Sequence, residues 1–203
     1  MRDFTQWEVI GKGSERTCYQ DPDDSSRCIK VSHKKNSKQS LREIKYFKLL
    51  KKENKSFSHI PQIFQFIEKG DLIGIEQEVI LDDSKEISKN IYDYIADNRT
   101  DDELNEFYHQ LEMLELYLID NNIIPSDLVT SNLLVCNKNK ELKVYIIDGF
   151  GGAEFFPLSN YIKLLGQHKI KRKWKKFMNG FVNRLVLKNH KEFYLKFREA
   201  NDE

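Results

Sequence analysis

The 203-residue sequence contains little cysteine and no long apolar run. Cys18, Cys28 and Cys136 are odd in number and form no Cys-x-x-Cys pair, so neither a disulfide framework nor a zinc site is indicated, and three buried thiols are predicted. A membrane-spanning helix would need about 18 consecutive apolar residues, which the sequence lacks. Residues 1–6 also lack the apolar segment of a signal peptide, and a cytoplasmic location is therefore predicted.

Internal repeats and low-complexity segments are absent as well. Hydrophobic residues make up 39% of the chain, which is enough for one good core or two small lobes. The five histidines show no metal-ligand spacing and are predicted to be surface or structural residues.

Positive charge is concentrated at the C-terminal end. The net charge is +1, but residues 161–203 carry +8 and the preceding 160 residues carry −7. The cationic and aromatic run from Lys169 to Phe177 could bind RNA or a membrane surface, or it could be a solvated helix face that covers the rest of the chain. An anionic partner for the tail, or contact between tail and body, is therefore predicted, and no DNA partner is expected.

The first 80 residues have the pattern of a small α+β unit. The predicted strands cover residues 7–12, 15–20, 27–31, 63–67 and 72–81. Between the third and fourth strands, apolar residues recur at three-residue steps from Leu41 to Leu50, which predicts a helix that Ser37 or Ser40 could cap.

The remaining residues have mainly helical patterns. A short helix is predicted at residues 87–96, and a long one follows the capping-box pair Thr100 and Glu103 and ends at Asn121. Residues 133–135 and 143–147 predict a hairpin. The tail continues a helical apolar stripe through Trp174, Phe177, Phe181 and Leu185.

A possible phosphate-binding turn lies between the first two strands. Gly11, Lys12, Gly13 and Ser14 could cover phosphates with their backbone amides, because glycine lets the chain pass close to a ligand. The third glycine of the protein-kinase pattern is missing, and Arg16 stands in its position. An ordinary tight turn is the alternative interpretation.

Lys30 lies within an apolar strand, where an ammonium group is either directed to solvent or paired with a buried anion. The candidate anion is Glu43 of the predicted helix, and such an ion pair would hold the ammonium against the nucleotide phosphates. Glu43 could instead belong to a capping box with Ser40, and Glu53 is a less favoured partner.

Three oxygen-bearing side chains follow apolar segments in the second half of the chain. Asp127 precedes Asn132 by five residues, so that the first could face a substrate hydroxyl while the second turns its amide oxygen to a metal ion. Asp148 ends the strand that precedes Gly149. Loop turns and caps would explain the same residue types, and an Asp-Gly turn is common.

Order and spacing favour the catalytic interpretation. The phosphate turn, strand lysine, helix glutamate, catalytic aspartate, asparagine and metal aspartate follow one another as in a kinase. There are 97 residues from Lys30 to Asp127 and 21 from Asp127 to Asp148.

These residues resemble the protein-kinase-like superfamily, and the short chain resembles the bacterial YrbL family, called PhoP regulatory network proteins. The resemblance covers about residues 9–151 and is most specific at 126–135 and 145–151. It implies a two-lobed kinase fold, with a β-rich nucleotide lobe at residues 1–80 and a reduced, mostly helical catalytic lobe at 81–203. It also implies ATP in the cleft and an interlobe hinge at residues 76–80. The hinge residues expected to contact the nucleotide are Glu76, Gln77, Glu78 and Val79.

The chain departs from the kinase pattern in its catalytic loop. Pro125 and Ser126 replace the usual His and Arg, and Val129 replaces the lysine that approaches the transferring phosphate. One lost cation of this kind is worth on the order of 3 kcal/mol, or about a hundredfold in rate. No Ala-Pro-Glu motif follows Gly151, and segment 153–157 does not replace it.

The prediction is a phosphotransferase that uses ATP and Mg²⁺ and acts on an unknown hydroxyl acceptor. Asp127 would be the base, Asn132 and Asp148 the metal ligands, and Lys30, held by Glu43, the phosphate contact. A pseudokinase that binds nucleotide without useful turnover is one alternative. A protein that binds RNA or anionic lipid through its basic tail is the other.

Overall fold

The computed structural model describes residues 4–151 and 162–201, and its N-terminal part is a five-stranded antiparallel sheet in the order β1-β2-β3-β5-β4. The strands are β1 (Val9–Lys12), β2 (Thr17–Gln20), β3 (Arg27–His33), β4 (Ile63–Lys69) and β5 (Leu72–Glu78). All five predicted strands are present. Segment 153–157 lies outside the described residues.

The two faces of β3 have different surroundings, because successive side chains of a strand point to opposite sides. Ile29 and Val31 pack with Phe4 and Ile67 in a small separate core. Lys30 therefore lies on the opposite face, where its side chain is 11% exposed. The alternative interpretation, in which this lysine simply faces solvent, does not agree with this low exposure.

The helix α1 (Lys38–Lys52) packs against β5 and buries Ile44, Phe47 and Leu50. Its N-terminus is capped by a residue that is distant in sequence. The carboxylate of Glu15 accepts hydrogen bonds from the backbone N–H groups of Gln39 and Ser40 at 2.9 and 3.1 Å. The predicted serine cap is not used, since the Ser37 hydroxyl donates to the carbonyl of Lys34 instead.

The C-terminal part begins with a short strand and two helices. The strand β6 (Lys89–Asn90) and helix α2 (Ile91–Ala96) occupy the segment predicted as one helix from residue 87. The helix starts later because Asn90 adopts an extended conformation and its side chain caps α2 by accepting from the N–H of Asp93. The helix α3 (Asp101–Asn121) follows, and its predicted capping box is formed by Thr100 and Glu103.

A hairpin of β7 (Leu133–Lys138) and β8 (Glu141–Ile146) joins β6 in a second antiparallel sheet. Asn139 and Lys140 have φ values of 55° and 65°, as a two-residue hairpin turn requires. The sheet places Asn132, just before β7, near Asp148, just after β8, because Ile147 N donates 2.9 Å to Asn132 O.

Three helices end the described chain: α4 (Lys163–Phe177), α5 (Asn183–Asn189) and α6 (Lys191–Asn201). A π-helical turn at Met178–Val182 separates the first two. A π-helical turn inserts one extra residue into the helical repeat and shifts the buried positions by one. Val182 is therefore buried, whereas Phe181, which the predicted apolar stripe included, is 41% exposed. Trp174 and Phe177 are buried as predicted.

One large apolar core joins α1 and the sheet to α2, α3 and the tail helices. The chain is thus an α+β protein with two antiparallel sheets. Among the described residues, no helix combines the length and the apolar character needed to cross a membrane.

Candidate functional site

A cleft of about 560 Å³ lies between the five-stranded sheet and the loops that flank β7 and β8. It brings together most of the residues predicted for the site. Those that line it are Gly11, Lys12, Gly13, Ser14, Lys30, Gln77, Glu78, Val79, Asp127, Asn132 and Asp148. Two predicted residues, Glu43 and Glu76, do not line the cleft.

Lys30 reaches across the cleft to the strand end that carries Asp148. Its Nζ donates a hydrogen bond of 3.1 Å to the carbonyl oxygen of Ile147 and lies 3.7 Å from Oδ2 of Asp148. The ammonium is therefore fixed next to a predicted metal ligand.

Arg16, and not Lys30 as predicted, donates the hydrogen bond to Glu43. Arg16 Nη1 donates to Oε2 of Glu43, and both side chains are almost fully buried. Lys30 attracts Glu43 electrostatically without being its hydrogen-bond partner in this structure. Burial raises the pKa of the Glu43 carboxyl, and the charges of Lys30 and Arg16 oppose that rise.

Arg16 also binds Asp148. Its Nη2 donates to both carboxylate oxygens, at 2.6 Å to Oδ2. Burial by itself would raise the pKa of Asp148, but the positive charges of Lys30 and Arg16 outweigh it and hold the pKa below its ordinary value. Asp148 is therefore a carboxylate at neutral pH.

The loop with Asp127 is held against Gly149. The backbone N–H and the hydroxyl of Ser126 donate to the carbonyl oxygen of Gly149 at 2.6 and 2.7 Å, and Asp127 N donates to it at 3.3 Å. Asp127 itself is exposed and lines the cleft. A carboxylate at this point is accessible to a ligand.

The basic tail contacts the same loop. Lys173 of α4 donates a hydrogen bond of 2.7 Å from Nζ to the carbonyl oxygen of Ser126. Burial lowers the pKa of Lys173, an effect that the nearby charge of Asp127 opposes. One cation of the tail therefore packs on the rest of the chain, which agrees with one of the two alternatives predicted for the tail.

The segment predicted as a hinge is only partly directed to the cleft. The carboxylate of Glu76 accepts from Arg27 at 3.2 Å, away from the cleft. The Glu78 carboxylate accepts from the backbone N–H of Gln62 at 3.0 Å, although Glu78 still lines the cleft with Val79.

The family model described as PhoP regulatory network protein YrbL matches residues 3–181. The chain belongs to this family. The curated relatives include the uncharacterized protein YrbL of Escherichia coli (strain K12), which is 29% identical over 180 residues. The match covers 86% of this chain and 85% of that protein. The uncharacterized protein YrbL of Shigella flexneri matches with the same identity and coverage.

The match extends across the whole candidate site of this YrbL-family chain, from the turn at Gly11 to Asp148 and on to Lys173. The sequence resemblance to the YrbL family is thereby confirmed.

The residues of the site that the sequence did not indicate include Arg16, Cys18 and Lys173. In the sequence, Arg16 was noted only because it replaces the third glycine of the kinase pattern. The positive charge at that position could itself have indicated a contact with an anion. Cys18 lines the cleft and is half-buried, whereas burial was predicted. Lys173 had no local signal, because its contact with Ser126 joins residues 47 positions apart.

Proposed function

We propose that the protein binds ATP with Mg²⁺ in this cleft and transfers the γ-phosphoryl group to a hydroxyl acceptor. One observation carries the proposal: Lys30, Asp127, Asn132 and Asp148, which are up to 118 positions apart, meet at one cleft beneath the turn at residues 11–14. Residues brought together from distant positions and carrying opposite charges are typical of a functional site.

The arrangement in the chain also supports a kinase-like organisation. The five-stranded sheet and α1 lie within residues 1–80, and the mostly helical remainder lies within 81–203. We infer that these are a nucleotide lobe and a reduced catalytic lobe, with the cleft between them.

The donor set fits a nucleotide-bound Mg²⁺. Among the described residues no group of three or more His, Cys, Asp or Glu side chains is arranged to hold a metal ion alone. Magnesium bound with nucleotide usually takes only one or two protein ligands, and the phosphates and water supply the others. Asn132 and Asp148 would hold it, and it would neutralise charge on the phosphates.

The protein residues have separate parts in the proposed transfer. The hydroxyl oxygen of the acceptor forms a bond to the γ-phosphorus while the bond to the β,γ-bridging oxygen breaks, and ADP leaves. Asp127 accepts the hydroxyl proton, since its carboxylate is exposed at the cleft. Lys30 holds the α- and β-phosphates from its position within β3.

A nucleotide-binding regulatory protein without useful turnover is the second candidate. It is favoured by Arg16, which holds both oxygens of Asp148, and by Val129, which supplies no charge to the catalytic loop. Lys171, Lys175 and Lys176 of α4 are exposed to an anionic partner in either case.

Thermal unfolding with and without 1 mM ATP and Mg²⁺ tests the nucleotide site. Ligand at about 100 times its dissociation constant adds roughly 2.7 kcal/mol, which raises the melting temperature by about 5 to 10 °C. Lys30→Ala should abolish this rise. Lys34→Ala is the matched control, because Lys34 pairs with Glu68 on the exposed surface at 2.8 Å.

Turnover is tested separately with Asp127→Asn, by following release of ADP from ATP in the presence of candidate alcohols. The enzyme proposal expects loss of transfer with the ATP-induced rise unchanged. A rise in the wild type without any transfer would favour the regulatory candidate, and no rise at all would exclude both.

A further inference from the structure

Arg16 is buried although it follows an exposed turn. Residues 11–14 are exposed, and the N–H of Gly13 donates 2.8 Å to the carbonyl oxygen of Arg16, which closes the turn. The Arg16 side chain is only 8% exposed, because it points inward between Glu43 and Asp148. The turn thus carries a cation into the part of the cleft where the predicted metal ligand lies.

The contacts of Arg16 are those of a charged guanidinium. Burying a cation costs several kcal/mol unless anions compensate for the loss of water. Burial alone would lower the pKa of Arg16, but Glu43 and Asp148 raise it above its ordinary value. Nη2 lies between the two oxygens of Asp148, so a positive charge already stands where a metal ion would bind that carboxylate.

One oxygen of this network has no hydrogen-bond donor. Glu43 Oε1 is buried and unpaired among the described residues, and Glu43 is 1% exposed. A buried acceptor without a donor costs about 1 to 3 kcal/mol, and more when it is charged. Lys30 is close enough to attract Glu43, but its Nζ is bonded to Ile147 in this structure. In the observed arrangement, the hydrogen bond from Lys30 Nζ to Glu43 Oε1 is therefore not formed.

Resting on the proposed function, we propose that Arg16 gives up its contact with Asp148 and turns to the terminal phosphate when ATP binds. Arg16 then supplies the phosphate contact that Val129 in the catalytic loop does not supply. Asp148 becomes free as a metal ligand, and Glu43 Oε1 becomes an acceptor for Lys30.

The chemistry of arginine suits both states. A guanidinium group can contact two oxygens of a carboxylate or of a phosphate with similar geometry. Its contact with Glu43 can anchor one side of the group while the other side exchanges Asp148 for phosphate. Arg16 therefore recognises the third phosphate, which distinguishes ATP from ADP.

The test compares the wild type with Arg16→Gln, which removes the charge and keeps a polar side chain. Arg99→Gln is the matched control, because Arg99 also bridges two carboxylates, Asp97 and Glu103, outside this cleft. Arg16→Lys keeps the charge, so it covers the case in which the neutral variant does not fold, as judged by circular dichroism.

Two binding measurements are made on each protein. The first is Mn²⁺ binding without nucleotide, followed by the electron paramagnetic resonance signal of free Mn²⁺. The second is the ratio of ATP to ADP dissociation constants in saturating Mg²⁺, measured by calorimetry. Arg16→Gln should bind Mn²⁺ about tenfold more tightly and lose about tenfold of the preference for ATP, as expected for one charged contact. Arg16→Lys should be intermediate, and Arg99→Gln should match the wild type.

The outcomes separate this inference from the proposed function. If the wild type binds ATP but Arg16→Gln keeps the wild-type Mn²⁺ affinity and the wild-type ratio, the inference is wrong and the proposed function stands. If Arg16→Gln does not fold and Arg16→Lys keeps both wild-type values, the inference is also wrong. If the wild type binds neither nucleotide, both proposals are wrong.

Discussion

Gly149 lies directly against the backbone of Asp127. A Cβ added to Gly149 would be 2.4 Å from the carbonyl oxygen of Asp127, closer than such atoms approach in proteins. The φ angle of Gly149 is +84°, which side-chain-bearing residues rarely adopt. The Asp-Gly pair after β8 is therefore required by the contact between two loops of the site, and not only by a local turn.

Gly149→Ala should destabilise the protein by about 2 to 4 kcal/mol, because the clash with Asp127 adds to an unfavourable backbone conformation. Urea unfolding measures the change. Gly70→Ala is the matched control, since Gly70 has φ +55° but no atom within 4 Å of an added Cβ, and it should cost only about 1 kcal/mol. Equal losses in the two variants would contradict the close contact.

The titration of His59 should make the stability of the protein depend on pH. His59 is 8% exposed, and its Nδ1 lies 2.8 Å from the carbonyl oxygen of Val144. Burial, together with the charge of Lys143, lowers its pKa below the ordinary value of 6.5. The folded protein therefore favours the neutral ring, and stability is lost as the pH falls below 6.5, by at most about 1.4 kcal/mol per pH unit.

Urea unfolding from pH 7.5 to 5 measures this loss. His59→Asn keeps a donor for Val144 but cannot titrate, so its stability should fall less with decreasing pH than that of the wild type. His109→Asn, at an exposed site of α3, should behave like the wild type. The same slope in wild type and His59→Asn would show that His59 is not responsible.

The three thiols of the chain should differ in reactivity, because their surroundings shift their pKa values in different directions. A hydrogen bond from Cys28 and the charges of Lys30 and Arg16 outweigh burial and hold the pKa of Cys18 below its ordinary value. The pKa of Cys28 is raised, chiefly by its hydrogen bond to Cys18, and burial raises that of Cys136. Iodoacetamide should therefore modify Cys18 roughly tenfold faster than the other two thiols.

Mass spectrometry of peptides after timed alkylation measures the three rates. Cys18→Ser should leave only slow labelling, and Cys136→Ser should leave the fast phase intact. Faster labelling of Cys136 than of Cys18 would be incompatible with the surroundings described for the two thiols.

Several elements could be predicted because short-range interactions define them. The capping box of Thr100 and Glu103 joins residues three positions apart, and both of its hydrogen bonds are present. The hairpin of β7 and β8 follows from a turn of adjacent residues. The start of α1 was less predictable, because its cap comes from Glu15, more than 20 positions away.

The hydrogen-bond partner of Glu43 is the clearest case in which the structure differs from the expectation from sequence. Lys30 lies on β3 and Arg16 directly precedes the neighbouring strand β2, and spacing along the chain does not distinguish these two cations. The fold decides between them, because Lys30 is held by the carbonyl of Ile147 while Arg16 reaches Glu43 from the turn.

Residue types and their periodicity thus establish the α+β class, the order of most elements and the identities of the polar residues at strand ends. They do so because turns, caps and apolar repeats act over a few residues. The pairing of Arg16 with Asp148, 132 positions away, and of Lys173 with Ser126 arises only when the sheets and helices pack around one core. The pairing of charged groups that are far apart in sequence depends on the distance between them in space and on their burial. Both are properties of the folded chain.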